Sequence, residues 1–216
     1  MKITNEDNTQ LMARYEDNHF DLAIVDPPYG IERFKKASKE TSGVYAKRGS
    51  FKSDDCQNWN DAKPDKEYFK ELFRVSKHQI IWGANNFNLP NSEYFCVWDK
   101  HQNMPNFASA ELAYVSMSLK APAKVFRYGI HKENATRKAE GGKIHQAQKP
   151  VKLYEWILMN YAKEGFKILD THLGSGSIAL ACHNLKFDLT ACELDAEYYN
   201  SAMKRLKQHQ NQLTIF

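Results

Sequence analysis

Short apolar runs alternate along this chain with polar turns and amphipathic stretches, the pattern of strands buried in a sheet with helices laid over it. Asp21-Leu22-Ala23-Ile24-Val25 is one such run, halted by Asp26-Pro27-Pro28-Tyr29-Gly30, where two prolines cannot continue a hydrogen-bonded ladder. From Pro64 the sequence PDKEYFKELFRVSK places acidic residues first, basic residues last, and Tyr68, Phe69, Leu72 and Phe73 at helical spacing, which predicts an amphipathic helix. Residues 78–83, 94–98, 111–116 and 124–128 are strand-like, and such a succession without long helices predicts an antiparallel portion on a larger sheet. The last third predicts helix over 151–163, strand over 167–170, helix over 177–184, strand over 187–192 and helix over 196–209. A strand, a glycine-rich turn, a helix, a second strand and an acidic residue in that order form a nucleotide-type cofactor half-site of a doubly wound sheet.

Composition narrows the class. The 216 residues are 42% hydrophobic and 26% charged, which is globular and argues against disorder, collagen-like repeats and a coiled coil. That length fits a single domain over 1–216. The polar start MKITNEDNTQ does not resemble a signal peptide, and no apolar run reaches the roughly 18 residues that cross a bilayer. A soluble, cytoplasmic protein without a membrane partner is the expectation. Cys56, Cys96, Cys182 and Cys192 form no CxxC pair, so they read as reduced, mostly buried thiols, and no metal is expected.

Two constellations carry chemistry. Leu173-Gly174-Ser175-Gly176-Ser177 follows Asp170 at a strand end and opens a helix, where glycines permit a sharp turn and close approach to a ligand. Glycine turns joining strand to helix are also ordinary structure. Glu193 sharpens the picture, standing at the end of the next strand about twenty residues on, where a carboxylate can accept from both ribose hydroxyls. No Gly-Lys-Ser/Thr follows as a phosphate-binding Walker loop requires, and the full GxGxxG is absent too. The second constellation is Asp26-Pro27-Pro28-Tyr29. The Asp26 carboxylate and the Pro27 carbonyl offer two acceptors, the prolines fix the loop, and Tyr29 offers a stacking face. This set suits an exocyclic amino group on a planar base. Two acceptors on its N–H bonds keep the nitrogen lone pair from delocalising into the ring. The bland alternative is a strand-ending turn with an incidental tyrosine.

With these residues in view, the chain resembles the DNA amino-methyltransferases, in the beta-class order that sets the catalytic DPPY before the cofactor glycines. The resemblance runs through Asp26 to Gly30, Ile80-Ile81-Trp82-Gly83-Ala84-Asn85-Asn86-Phe87, Val97-Trp98-Asp99-Lys100 and Glu111-Leu112-Ala113-Tyr114. It continues through His145-Gln146-Ala147-Gln148-Lys149-Pro150-Val151, similar to the family's HPTQKPV, and Ile168-Leu169-Asp170 through Gly176-Ser177. It implies an α/β, Rossmann-like, mostly parallel seven-stranded sheet with an antiparallel hairpin and a circularly permuted motif order. It further implies S-adenosylmethionine as donor and a DNA base flipped out of the duplex. On this footing Asp26 and the Pro27 carbonyl hold the target amino group, Pro28 shapes the loop and Tyr29 stacks on the base. Gly174, Ser175, Gly176 and Ser177 form the floor under the methionine part, with Asp170 near it, Lys149 and Pro150 lining it, Glu193 on the ribose and Asp7 facing the adenine. The family's Asp-Pro-Phe is here Asp170-Thr171-His172, so His172 either packs as the missing Phe does or contacts the cofactor; and His145-Gln146-Ala147 lacks the family's Pro.

Charge now acquires a place. The net +4 is modest, but 120–152 holds nine Lys/Arg against Glu133 and Glu140, a net of +7 that leaves the remainder at −3. The family locates target recognition there, which implies a small recognition insert over 101–145 contacting double-stranded DNA through its phosphates. Arg127, Arg137 and Lys138 are the candidates for phosphate or base contacts. The segment 31–61 has seven Lys/Arg, five Asp/Glu and no clean period, which predicts a long, mobile loop in which Arg33, Lys35, Lys36, Lys47 and Arg48 close over the substrate. So short a recognition region fits a brief target sequence, relaxed specificity, or help from a second copy in a homodimer. The expected activity is site-specific N6-adenine methylation of DNA, as in restriction-modification systems, with Asp rather than Ser at position 26 favouring adenine. N4-cytosine methylation uses the same chemistry. A protein or RNA methyltransferase would carry its glycine turn first in the chain, and a non-catalytic DNA-binding subunit of the same fold is the alternative from outside enzymology.

Overall fold

The computed structural model describes residues 1–30, 63–103, 105, 108–129, 142–145 and 147–212. Eight strands form one sheet: β1 (Lys2–Asn5), β2 (Phe20–Val25), β3 (Ser76–Trp82), β4 (Phe95–Asp99), β5 (Ala110–Val115), β6 (Lys124–Arg127), β7 (Lys167–Asp170) and β8 (Asp188–Glu193), in the spatial order β1-β8-β7-β2-β3-β5-β4-β6. Neighbours are parallel except where β5 runs antiparallel to both β3 and β4. The α/β class and the antiparallel portion are as expected from the sequence. The strand number is eight rather than seven, because strand-like Lys2-Ile3-Thr4 pairs in parallel with β8 at Lys2↔Thr190 through Asn5↔Glu193.

Among the described residues five helices cover the sheet: α1 (Asn8–Met12), α2 (Lys66–Val75), α3 (Val151–Tyr161), α4 (Ser177–Leu185) and α5 (Ala196–Gln210). Strand β2 shows why its sequence reads as an unbroken apolar run. Leu22 and Ile24 pack with α3 and α4, while Ala23 and Val25 pack on the other side with Leu11 and Met12 of α1 and Leu72 and Val75 of α2. Successive side chains point to opposite faces, and both faces are covered. Helix α2 starts two residues inside the predicted stretch: Asp65 caps it by accepting from the Tyr68 N–H at 2.8 Å, and Tyr68, Leu72 and Val75 form its buried stripe. Its end passes directly into β3 at Ser76.

The strand directions decide where chemistry can occur. Seven strands present their C-terminal ends, and β5 its N-terminal end, along one edge of the sheet. Asp26, Gly83, Lys100, Asp170, Glu193 and Glu111 therefore share that edge, where open α/β sheets bind ligands. The 101–145 stretch itself supplies β5 and β6 to the sheet. Cys96, Cys182 and Cys192 are free and buried, whereas Cys56 lies outside the described residues. Among the described residues no helix is long and apolar enough to cross a membrane, and no group of three His, Cys, Asp or Glu could hold a metal ion.

Candidate active site

Strand β2 delivers Asp26 to this edge, and the prolines behind it turn the chain at once. Asp26 Oδ1 accepts from the Tyr29 hydroxyl at 2.6 Å, and Oδ2 accepts from Lys149 Nζ at 2.5 Å. The tyrosine lies over the end of β3, where Gly83 adopts φ 70° and a Cβ would run into the Tyr29 ring. Phe87 meets Tyr29 edge-on at 6.1 Å and Phe69 at 5.2 Å, so an aromatic wall borders the carboxylate. The ring expected to stack on a base thus also holds the Asp26 carboxylate through its hydroxyl. Burial pushes the pKa of Tyr29 well up, keeping it a donor.

Lys149 is almost wholly buried and lies at the centre of a charge cluster. Its ammonium also donates to the Tyr29 hydroxyl at 3.2 Å, sits 3.0 Å from Glu111 Oε2, and faces the rings of Trp82 and Tyr29 at 5.4 and 5.7 Å. Glu111 in turn pairs through Oε1 with Lys100. Burial works against the charge on Lys149, but Asp26 and Glu111 raise its pKa overall. Burial likewise opposes ionisation of Glu111, yet the ammonium groups of Lys149 and Lys100 hold its pKa at about 2. At Asp26 burial raises the pKa against the pull of Lys149. The ammonium of Lys149, expected beside the cofactor's methionine part, is directed at the Asp26 carboxylate; Pro150 is the N-cap residue of α3.

The glycine turn lies at the end of β7, which pairs with β2. Gly174 and Gly176 have φ 51° and 71°, in the left-handed region that favours glycine, and a Cβ on Gly176 would press Ala202 at 3.1 Å. Glu193 ties the turn down: Oε2 accepts from the Gly174 N–H at 2.8 Å and Oε1 from the Asp195 N–H at 3.0 Å. Ser175 and Ser177 are buried with hydroxyls 3.1 Å apart, and Arg205 of α5 donates to the Ser175 carbonyl and the Ser177 hydroxyl, each at 3.0 Å. Asp170 accepts from the His172 N–H at 3.0 Å, and burial pushes its carboxyl up to about 8. Asp7, expected to face an adenine, caps α1 by accepting from the Thr9 N–H at 2.8 Å.

His172 both packs and bonds. Its ring meets Tyr68 edge-on at 5.3 Å, Nδ1 is 2.9 Å from Thr171 Oγ1, and Nε2 is 3.2 Å from Asn8 Nδ2. The Tyr68 hydroxyl closes the network on Thr171 Oγ1 at 2.7 Å. Burial lowers the His172 pKa to about 4, so the ring is neutral near pH 7. The altered Asp-Thr-His turn is thus knitted to α1 and α2 by polar contacts that Asp-Pro-Phe could not make.

Of the nucleic-acid candidates, Arg127 is exposed on β6 with its Nε 3.6 Å from Asp99 Oδ2. Arg33, Lys35, Lys36, Lys47, Arg48, Arg137 and Lys138 lie outside the described residues. Sequence reasoning gave no role to Glu111, Arg205 or Tyr68. A carboxylate opening an otherwise apolar strand was a usable signal for Glu111; nothing local marked Arg205 among the charges of its helix.

Comparisons with known proteins agree with this geometry. A model of the N6/N4 DNA methylase family matches residues 116–204. The type II methyltransferase M2.DpnII of Streptococcus pneumoniae is 22% identical, over 96% of this chain and 90% of its own length. M.HpaI of Haemophilus parainfluenzae is also 22% identical, over 93% of this chain and 72% of its own. The fold is shared with the M1.HpyAVI–SAM complex at a TM-score of 0.58 and 17% identity, covering 94% of this chain and 98% of that one. It is shared equally with the cytosine-N4-specific PvuII DNA methyltransferase, at 0.58 and 11% identity, covering 97% and 89%. With its acceptor turn and glycine turn on adjoining strands, a match to the DNA methylase model over residues 116–204 and relatives at 22% identity along its length, the chain is similar to the N6/N4 DNA amino-methyltransferases.

Proposed function

We propose that this chain methylates the N6 amino group of adenine within a specific duplex DNA sequence, with S-adenosylmethionine as donor. The observation that carries the reading is the adjacency of β2 and β7, which sets the Asp26 turn beside the glycine turn. The residues present fit the donor: buried Asp170 offers a carboxylate to a cationic ligand, positive-φ Gly174 and Gly176 let the backbone come close, and Glu193 stands at the end of β8 for the ribose. When bound, S-adenosylmethionine supplies a methyl group already activated by a sulfonium.

What remains for the protein is position and charge. Asp26 and the Pro27 carbonyl accept the two N–H bonds of the amino group and localise its lone pair, and the Tyr29 ring with the Phe87 wall receives the flipped base. As nitrogen gains the methyl and turns positive, the Asp26 carboxylate stabilises that charge and is placed to take the proton the nitrogen sheds. Lys and Arg of 120–152 other than the buried Lys149, Arg127 among them, supply phosphate contacts.

Asp at position 26 supports adenine, while the fold shared with a cytosine-N4-specific enzyme keeps N4-cytosine as the second reading. The type II relatives support a place in restriction-modification, in the cytoplasm, with a homodimer as one way for a short chain to select its site. Incubation with labelled donor and unmethylated duplex DNA, then digestion to nucleosides, tests all this. Label in N6-methyladenine is expected; label in N4-methylcytosine moves the acceptor, and label in neither ends the reading.

A further inference from the structure

Both carboxylate oxygens of Asp26 are engaged within the protein, Oδ1 by the Tyr29 hydroxyl at 2.6 Å and Oδ2 by the Lys149 ammonium at 2.5 Å. A carboxylate has about four acceptor positions, so an amino group arriving at Asp26 competes with these two donors for its oxygens. Both contacts are charge-assisted, and the one to the ammonium is in addition an ion pair. Lys149 is buried, so its cation cannot simply retreat into water; it needs another anion within reach.

Glu111 is that anion. Its Oε1 is held by Lys100, whose ammonium rests over the Trp98 ring at 4.8 Å. Its Oε2 is buried and already ion-paired with Lys149 Nζ at 3.0 Å, in a contact that falls short of hydrogen-bond geometry. The second anion is thus in place beside the ammonium, with its hydrogen-bonding capacity not yet filled. A small rotation of the Lys149 side chain would satisfy it and uncover Asp26 Oδ2. The antiparallel run of β5 makes the arrangement available, since it brings the first turn of that strand to the edge where β2 ends.

We propose that Glu111 is a positioning residue for methyl transfer: it receives the Lys149 ammonium when the target amino group takes Asp26 Oδ2. This rests on the reading of Asp26 as the acceptor of the amino group. The resting pair holds Asp26 in place and shields it, and the hand-over releases it without stranding a buried cation.

The test uses the full chain, labelled donor and unmethylated duplex DNA, with Glu111→Gln, Lys149→Met and the double variant. Glu111→Gln keeps the shape and removes the charge. Its kcat is expected to fall at least tenfold, with cofactor Kd within twofold of wild type and an unchanged thermal midpoint. In the Lys149→Met background there is no cation to receive, so Glu111→Gln should change kcat by less than twofold. A wild-type kcat in Glu111→Gln overturns the proposal, as does an equal loss in both backgrounds. A ternary structure with DNA and a non-reactive cofactor analogue gives a reading independent of turnover. Lys149 Nζ on Glu111 and away from Asp26 supports the hand-over, and Nζ still on Asp26 overturns it. Should wild type label no DNA at all, the function falls and the hand-over with it; labelling by wild type and Glu111→Gln alike removes the hand-over alone.

Discussion

The Gly174 N–H donates to Glu193 Oε2 at 2.8 Å, so the glycine turn and the acidic strand end, 19 residues apart, are one rigid unit before any ligand arrives. Glu193 fixes the turn and, on the proposed function, offers its remaining acceptor capacity to ribose hydroxyls. Glu193→Ala removes both. Hydrogen bonds to a charged group contribute about 1.5–3 kcal/mol each, so the cofactor Kd should rise roughly 10- to 100-fold or more. Isothermal calorimetry with S-adenosylmethionine measures it. Glu193→Gln, which can still accept from Gly174, should lose less than Ala; equal losses would mean the tether to the turn is irrelevant.

Asp26→Asn should divide chemistry from cofactor binding. The change removes the charge that stabilises the developing positive nitrogen, and loss of one such group costs roughly 10²–10³ in rate or more. Cofactor affinity should stay within a few-fold, because Asp26 lies at the acceptor side on β2. The fold should survive, since Lys149 retains Glu111 at 3.0 Å and is not left alone as a buried cation. Label transfer and calorimetry on the same preparation check this; a matching loss in both would place Asp26 in the cofactor site instead.

Features built from neighbours in sequence were legible, and features built across it were not. Asp26 through Tyr29 and Gly174 through Ser177 each lie within one strand-to-turn junction, where local residue chemistry dictates the backbone. Glu193 follows because a strand–turn–helix–strand unit has a nearly fixed length. The bond from Lys149 to Asp26 spans 123 residues, and that from Arg205 to Ser175 spans 30, so each depends on how α3 and α5 dock rather than on a local pattern. Glu111 reached the site only because β5 reverses direction, which an apolar run cannot announce. The first strand was legible as strand-like Lys2-Ile3-Thr4, and the count of seven came from the family resemblance rather than from these residues.

On the proposed function, Asp170 should make stability and cofactor affinity respond to pH in opposite senses. Its folded pKa, about 8, lies above the ordinary value of 3.8, because burial disfavours the carboxylate. Its contribution to stability is therefore complete below pH ~4 and is lost as pH rises through about 8. Asp170→Asn should flatten that part of the stability profile in urea titrations. A cationic ligand favours the carboxylate, so cofactor binding should tighten from pH 6 to 8 and release a proton. Calorimetry in buffers of different ionisation enthalpy detects the release. In Asp170→Asn both the release and the pH dependence should vanish, and their persistence would assign them to another group.

Gly83 offers the cleanest separation of backbone strain from site geometry. It sits at φ 70°, a conformation that costs an L side chain about 1–2 kcal/mol, and its missing Cβ leaves the space the Tyr29 ring occupies. Gly165 has a similar φ of 81° but meets nothing within 4 Å. Ala at either position should incur the strain and lower the thermal midpoint by a comparable few degrees for a domain of this size. Only Gly83→Ala must also push Tyr29 off β3, which moves its hydroxyl from Asp26 Oδ1. Its kcat should therefore fall at least tenfold while Gly165→Ala stays within twofold of wild type, both with unchanged cofactor affinity. A Gly83→Ala protein with full turnover would mean that the Tyr29 ring can be displaced without consequence, and that its hydroxyl does not orient the catalytic carboxylate.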